Sequence, residues 1–117
     1  MRGVLVLVLA LAVVSTVAAH GVLERTDPRG GSTLKAAPSH ISLLFTGAIE
    51  PAYSRVQVLN DSGRRVDLGD TTVDASNRGL LRVSLPALPA GRYTVAWRVL
   101  SIDSHVTEGE FTFRIAP

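Results

Sequence analysis

The chain has 117 residues, a formal net charge of +2 and no cysteine, a length that suffices for one domain with its own core and not for two. Its Lys and Arg are scattered among nearly as many acids with no basic block, which argues against nucleic acid or an anionic membrane surface as a partner. Without cysteine there are no disulfide staples and no thiolate metal ligands, so the fold must rest on its apolar core.

Residues 1–19 have the anatomy of a secretory signal peptide. Arg2 supplies a short positive start, Val4 to Val14 an unbroken apolar run, and Val17-Ala18-Ala19 a small-residue cleavage site. The run is too short to span a bilayer comfortably, and no stop-transfer pattern follows it. Cleavage after Ala19 gives a mature domain of residues 20–117 that begins with His20, whose free amine and ring nitrogen can close a chelate on one metal ion. The only methionine, Met1, leaves with the leader, so no thioether donor remains.

Beyond residue 19 no helical period survives, and the pattern is all-β. A first strand is expected over Val22 to Thr26, followed by the turn-rich link Asp27-Pro28-Arg29-Gly30-Gly31-Ser32. Ser39 to Thr46 sets Ile41, Leu43 and Phe45 on one face, and Ser54 to Leu59 turns Val56 and Val58 inward. Asn60-Asp61-Ser62-Gly63 reads as a hairpin turn into a short polar strand near Arg65–Leu68, with an irregular excursion over Gly69 to Asn77. Leu81, Val83 and Leu85 mark the next strand, ended by Pro86 and Pro89. The long strand from Arg92 alternates Tyr93, Val95, Trp97 and Val99, and Glu110–Ile115 closes the domain with Phe111, Phe113 and Ile115 inward.

Seven short strands separated by turn signals predict a seven-stranded antiparallel Greek-key β-sandwich, cupredoxin-like or immunoglobulin-like. Tyr93, just after the Gly91 turn, suits a tyrosine corner, and Trp97 is assigned to the core. The candidate chemistry lies where the long strand runs out, in Ser101-Ile102-Asp103-Ser104-His105. A two-residue spacing puts the Asp103 carboxylate and the His105 imidazole on the same side of an extended backbone, within reach of one metal ion. If seven strands alternate in direction, the start of the first lies at the same end as the link between the sixth and seventh. The link between the second and third lies there too. His20 then neighbours Asp103 and His105 in space, whereas His40 starts the second strand at the far end and reads as an exposed bystander.

Several pieces, in order, carry a family resemblance: His20-Gly21-Val22-Leu23, Asp27-Pro28 before Gly30, Ala37-Pro38 before Leu43-x-Phe45, and Leu88-x-x-Gly91-x-Tyr93-x-Val95-x-Trp97-Arg98-Val99. Ser101-x-Asp103-x-His105 and Gly109-x-Phe111-x-Phe113 complete the set. Over nearly the whole mature length the chain resembles the CopC family of exported copper-binding proteins. That resemblance implies a high-affinity Cu(II) site made by the amine and ring of His20, the carboxylate of Asp103 and the ring of His105. It also implies a periplasmic or secreted, monomeric protein that is not an enzyme and that works with a CopD-type membrane copper transporter. Two imidazoles, an amine and a carboxylate suit tetragonal Cu(II) on chemical grounds as well. The nitrogens must be free of protons to bind, so copper is expected to leave at about pH 5.

This sequence departs from the family in three places. Ser104 stands where members often carry Gly, and Thr46-Gly47 stand where some carry a Glu near the metal, with Glu50 and Glu108 read as solvated rather than as substitutes. The methionine-rich Cu(I) site of some relatives has no counterpart, which implies a Cu(II)-only protein. Two other classes compete: an oxidative copper enzyme built on the His20 chelate, disfavoured by Asp103 filling a position that oxygen needs and by few aromatics for a sugar surface, and a metal-free adhesion or structural sandwich.

Overall fold

The computed structural model describes Gly3 and residues 22–117; the rest of the expected signal peptide, and His20, lie outside the described residues. Among the described residues, eight strands form two four-stranded sheets: β1 (Leu23–Asp27), β2 (Thr33–Leu34), β3 (His40–Phe45), β4 (Arg55–Leu59), β5 (Thr72–Val73), β6 (Leu80–Ser84), β7 (Gly91–Leu100) and β8 (Val106–Ile115). One sheet runs β1-β3-β6-β5 and the other β2-β8-β7-β4. Every ladder is antiparallel except the short β2–β8 pair, which is parallel.

The alternation read from the sequence explains why these two layers close on each other. Ile41, Leu43, Val56, Val58, Leu81 and Val95 are wholly shielded from solvent, and Val83, Val99 and Phe113 nearly so. Each inward residue is separated from the next by one outward residue, the period that lets a strand bury a single face. At about 25 cal/mol per Å² of apolar surface removed from water, this one core is the main source of stability in a chain that has no crosslinks. The Tyr93 hydroxyl donates to the Pro89 carbonyl at 2.6 Å, so the tyrosine corner forms as expected. Trp97 is partly buried and packs against the core beside Phe111, with ring centroids 6.2 Å apart.

The structure corrects the strand list in three places. Arg65–Leu68 is not a strand: only Arg65 bridges to Leu59, and the segment instead presents Asp67 to the edge of β4. The strand lies further on, at Thr72–Val73, inside the stretch read as irregular. The link after β1 contains β2, whose Thr33 and Leu34 pair with Arg114 and Ile115.

Candidate metal centre

The rim formed by the end of β3, the start of β6 and the β7–β8 connection gathers three segments distant in sequence. Thr46, just past β3, donates its amide to the Val22 carbonyl at 2.9 Å, and the next segment, Ala48, accepts the Ile102 amide at 3.1 Å. Ile49 also forms a bridge with Ser101. Strand β1 begins at Leu23, opposite Phe45, so the chain enters the fold at the same end as the Ser101–His105 connection. The parity expectation therefore holds for the entry of β1. His40 opens β3 at the other end, exposed and hydrogen-bonded between its Nδ1 and the Ser39 hydroxyl at 3.0 Å.

The connection itself is a tight turn, not the extended backbone expected from the spacing. The Ser101 amide donates to the His105 carbonyl and the Ser104 amide to the Ser101 carbonyl, each at 2.9 Å. Ser104 takes φ +74°, in the left-handed region. The turn, rather than strand alternation, brings Asp103 and His105 to one side. The His105 Nδ1 sits 3.1 Å from Asp103 Oδ2, with the imidazole 63 % exposed. The other carboxylate oxygen, Oδ1, accepts from the Ser101 hydroxyl and from the His105 amide. The buried Ser101 was not singled out by the sequence as more than a neighbour, yet its hydroxyl anchors the carboxylate.

This anchoring sets the charge state. The Ser101 hydroxyl, aided by the His105 ring and amide against a smaller opposing effect of burial, holds the Asp103 carboxyl down at about 2. Asp103 is thus an oxygen donor that carries its negative charge throughout the ordinary pH range. Glu108 is exposed and ion-paired with Arg98 at 3.0 Å, a surface role. Glu50 donates its backbone amide to the Leu100 carbonyl, which ties it to the rim without committing its side chain. Among the described residues no group of three His, Cys, Asp or Glu side chains comes together, and no helix is long and apolar enough to cross a membrane. Asp103 and His105 therefore supply two donors, and a complete site needs more from elsewhere.

Fold and rim together define a small two-sheet β-sandwich with its polar donors on an end loop, the layout of a binding module. The chain belongs to the CopC family: the CopC domain model matches residues 23–116. It is 31% identical over 98 residues to the copper transport protein CutJ of Bacillus subtilis, which covers 83% of this chain but only 18% of CutJ. Among solved structures, CopC from Methylosinus trichosporium OB3b is 34% identical with a TM-score of 0.79, covering 84% of this chain and 95% of that one. PcoC, a methionine-rich copper resistance protein from Escherichia coli, is 28% identical with a TM-score of 0.71, covering 83% and 99%. Members of the family are copper-binding proteins rather than enzymes, so the chain has a copper-handling role. Both the oxidative-enzyme reading and the metal-free reading are set aside on that basis.

Proposed function

We propose that this chain is an exported Cu(II) carrier. It holds the ion between the amine and ring of His20, the carboxylate of Asp103 and the ring of His105, and exchanges it with a CopD-type membrane partner. The observation that carries this reading is the 3.1 Å separation of His105 Nδ1 and Asp103 Oδ2 on the rim where β1 begins. Two donors bound side by side to a square-planar ion, each about 2.1 Å from it, lie about 3 Å apart. A divalent ion can thus sit against both donors with little movement of either side chain. An ion held there would still need two nitrogens, and the mature end, two residues before Val22, supplies an amine and an imidazole.

The donor set is hard to borderline, and the only methionine of the chain is Met1. Soft Cu(I) finds no sulfur here, so reduction should release the metal. The test is a Cu(II) titration of the processed protein followed by the fluorescence of Trp97, its sole tryptophan. Quenching that saturates at one equivalent is expected, and it should be abolished when Asp103 and His105 are both replaced by alanine. A version with one extra residue ahead of His20 should bind far more weakly, because the amine becomes an amide. Copper held equally well by either altered form would refute the assignment.

A further inference from the structure

Beside the candidate copper loop, on the outer face of the β2-β8-β7-β4 sheet, lies an open concavity of about 440 Å³. Its lining combines Tyr53, Leu100 and Val106 with Arg55 and Arg98. Val106 directly follows His105 and Leu100 directly precedes Ser101, so the concavity and the loop share an edge. Tyr53 is 72 % exposed and Val106 52 %, and Ile102 in the loop is 60 % exposed. Such large apolar side chains grouped at one place, rather than scattered singly, mark a surface that another molecule covers.

The charges on this surface say what kind of molecule. Arg55 on β4 stands directly opposite Arg98 on β7, and Arg98 directly opposite Glu108 on β8. Like charges facing each other across a ladder destabilise it. Glu108 answers one of them, 3.0 Å from Arg98. Arg55 has no ion-pair partner among the described residues. One positive charge is therefore unmatched at the border of an apolar hollow. Arg and Tyr are also the residue types that most often carry the binding energy of protein interfaces.

We propose that this concavity is the docking surface for the protein that exchanges copper with the Asp103–His105 loop, and that it receives a segment of that protein carrying a carboxylate next to an apolar side chain. The carboxylate pairs with Arg55, relieving its repulsion with Arg98, while the apolar neighbour fits against Tyr53, Leu100 and Val106. Docking there sets the partner's metal donors alongside the copper loop. What is exchanged rests on the copper reading above; the docking itself does not.

The test uses a short capped peptide alternating Asp with Phe and Leu, a control with Asn in place of Asp, and the isotope-labelled processed protein observed by NMR. The acidic peptide should shift amides of residues 52–55, 98–100 and 102–106, with affinity falling as salt is raised. Arg55→Glu and, as a milder variant, Arg55→Gln should weaken peptide binding about tenfold or more while Cu(II) affinity stays within about twofold. Shifts of equal size with the Asn peptide, shifts elsewhere on the domain, or no effect of either Arg55 variant would overturn the proposal. So would self-association of the chain that Tyr53→Ser abolishes, since a second copy would then be the occupant. A copper titration on the same samples separates a failed docking surface from a failed copper site, as neither variant touches a candidate ligand.

Discussion

Ser104 sits between the two candidate ligands in a conformation that disfavours side chains. At φ +74° its Cβ crowds the following carbonyl, a cost of about 1 kcal/mol that glycine avoids. Ser104→Gly should raise stability by about 0.5–1 kcal/mol in urea unfolding, and Ser104→Val should lower it by more, because a β-branched side chain tolerates that region worst. Ser101 acts differently. Its hydroxyl donates to Asp103 Oδ1 and lies 3.3 Å from the His105 carbonyl, so it fixes the carboxylate without offering itself to the metal. Ser101→Ala should weaken Cu(II) binding about 10–100-fold in the Trp97 titration, with a loss of stability of only about 1 kcal/mol. Were affinity unchanged, the orienting role of Ser101 would be wrong. The pair Asp103 and His105 was legible in the sequence because two strong ligand types stood two residues apart. Ser101 was not, since a serine flanking such a pair carries no signal until the turn shows where its hydroxyl points.

Strand β7 is the element on which the rest depends, and its ten-residue ladder with β8 contains one unusually close contact. Trp97 pairs with Gly109, and a Cβ built on Gly109 would lie 2.6 Å from the indole ring. The glycine is therefore the space into which the indole lies. Gly109→Ala should destabilise the domain by about 1–3 kcal/mol and alter Trp97 emission, both read in one denaturant titration. On the far side of β7, the outer edge of β4 is closed by two side chains and by the Val66 amide, which donates to the Val58 carbonyl at 2.8 Å, instead of by a strand. Val58 donates its amide to Asp67 Oδ1 at 2.8 Å, and Val56 donates to the Thr71 hydroxyl at 3.3 Å. Asp67→Ala should cost about 1–3 kcal/mol by leaving the Val58 and Gly69 amides without acceptors. This arrangement is why the sequence misled over Arg65–Leu68. Its place beside β4 suggested a full strand, whereas backbone pairing stops at Val66, and Asp67 meets the Val58 amide with its carboxylate, which protects the edge. The long strands were legible because their apolar residues recur every second position. Two-residue strands such as Thr33–Leu34 and Thr72–Val73 hold too few residues to show any period, and tertiary pairing alone defines them.

At the scale of the whole molecule, acid acts on copper and on the fold in separate windows. Four carboxylates are favoured in their ionised form by the native structure, Asp70 among them through the Ser84 hydroxyl and amide. Asp74 lies at about 2, held mainly by the Ser76 hydroxyl and amide and assisted by Arg82, and Asp103 also lies at about 2 through Ser101 and His105. Burial alone would raise Asp67, but hydrogen bonds from Arg65 and from the Val58 and Gly69 amides bring it below the ordinary 3.8. A carboxyl with a depressed native value binds fewer protons when folded than when unfolded. Its contribution is complete above the ordinary 3.8 and is lost as pH falls through the native value near 2. The metal-free protein should therefore keep its near-ultraviolet circular dichroism from about pH 7 down to about pH 4 and lose it between about 4 and 2. In the site proposed above, copper would respond to other groups, the imidazoles and the terminal amine, which protons reclaim at about pH 5. Release should thus occur from a folded chain, visible as loss of Trp97 quenching while the dichroism is unchanged. Coincident loss of the two signals would mean that the ion leaves only because the domain unfolds, and the nitrogen donors would then have no part in setting when it goes.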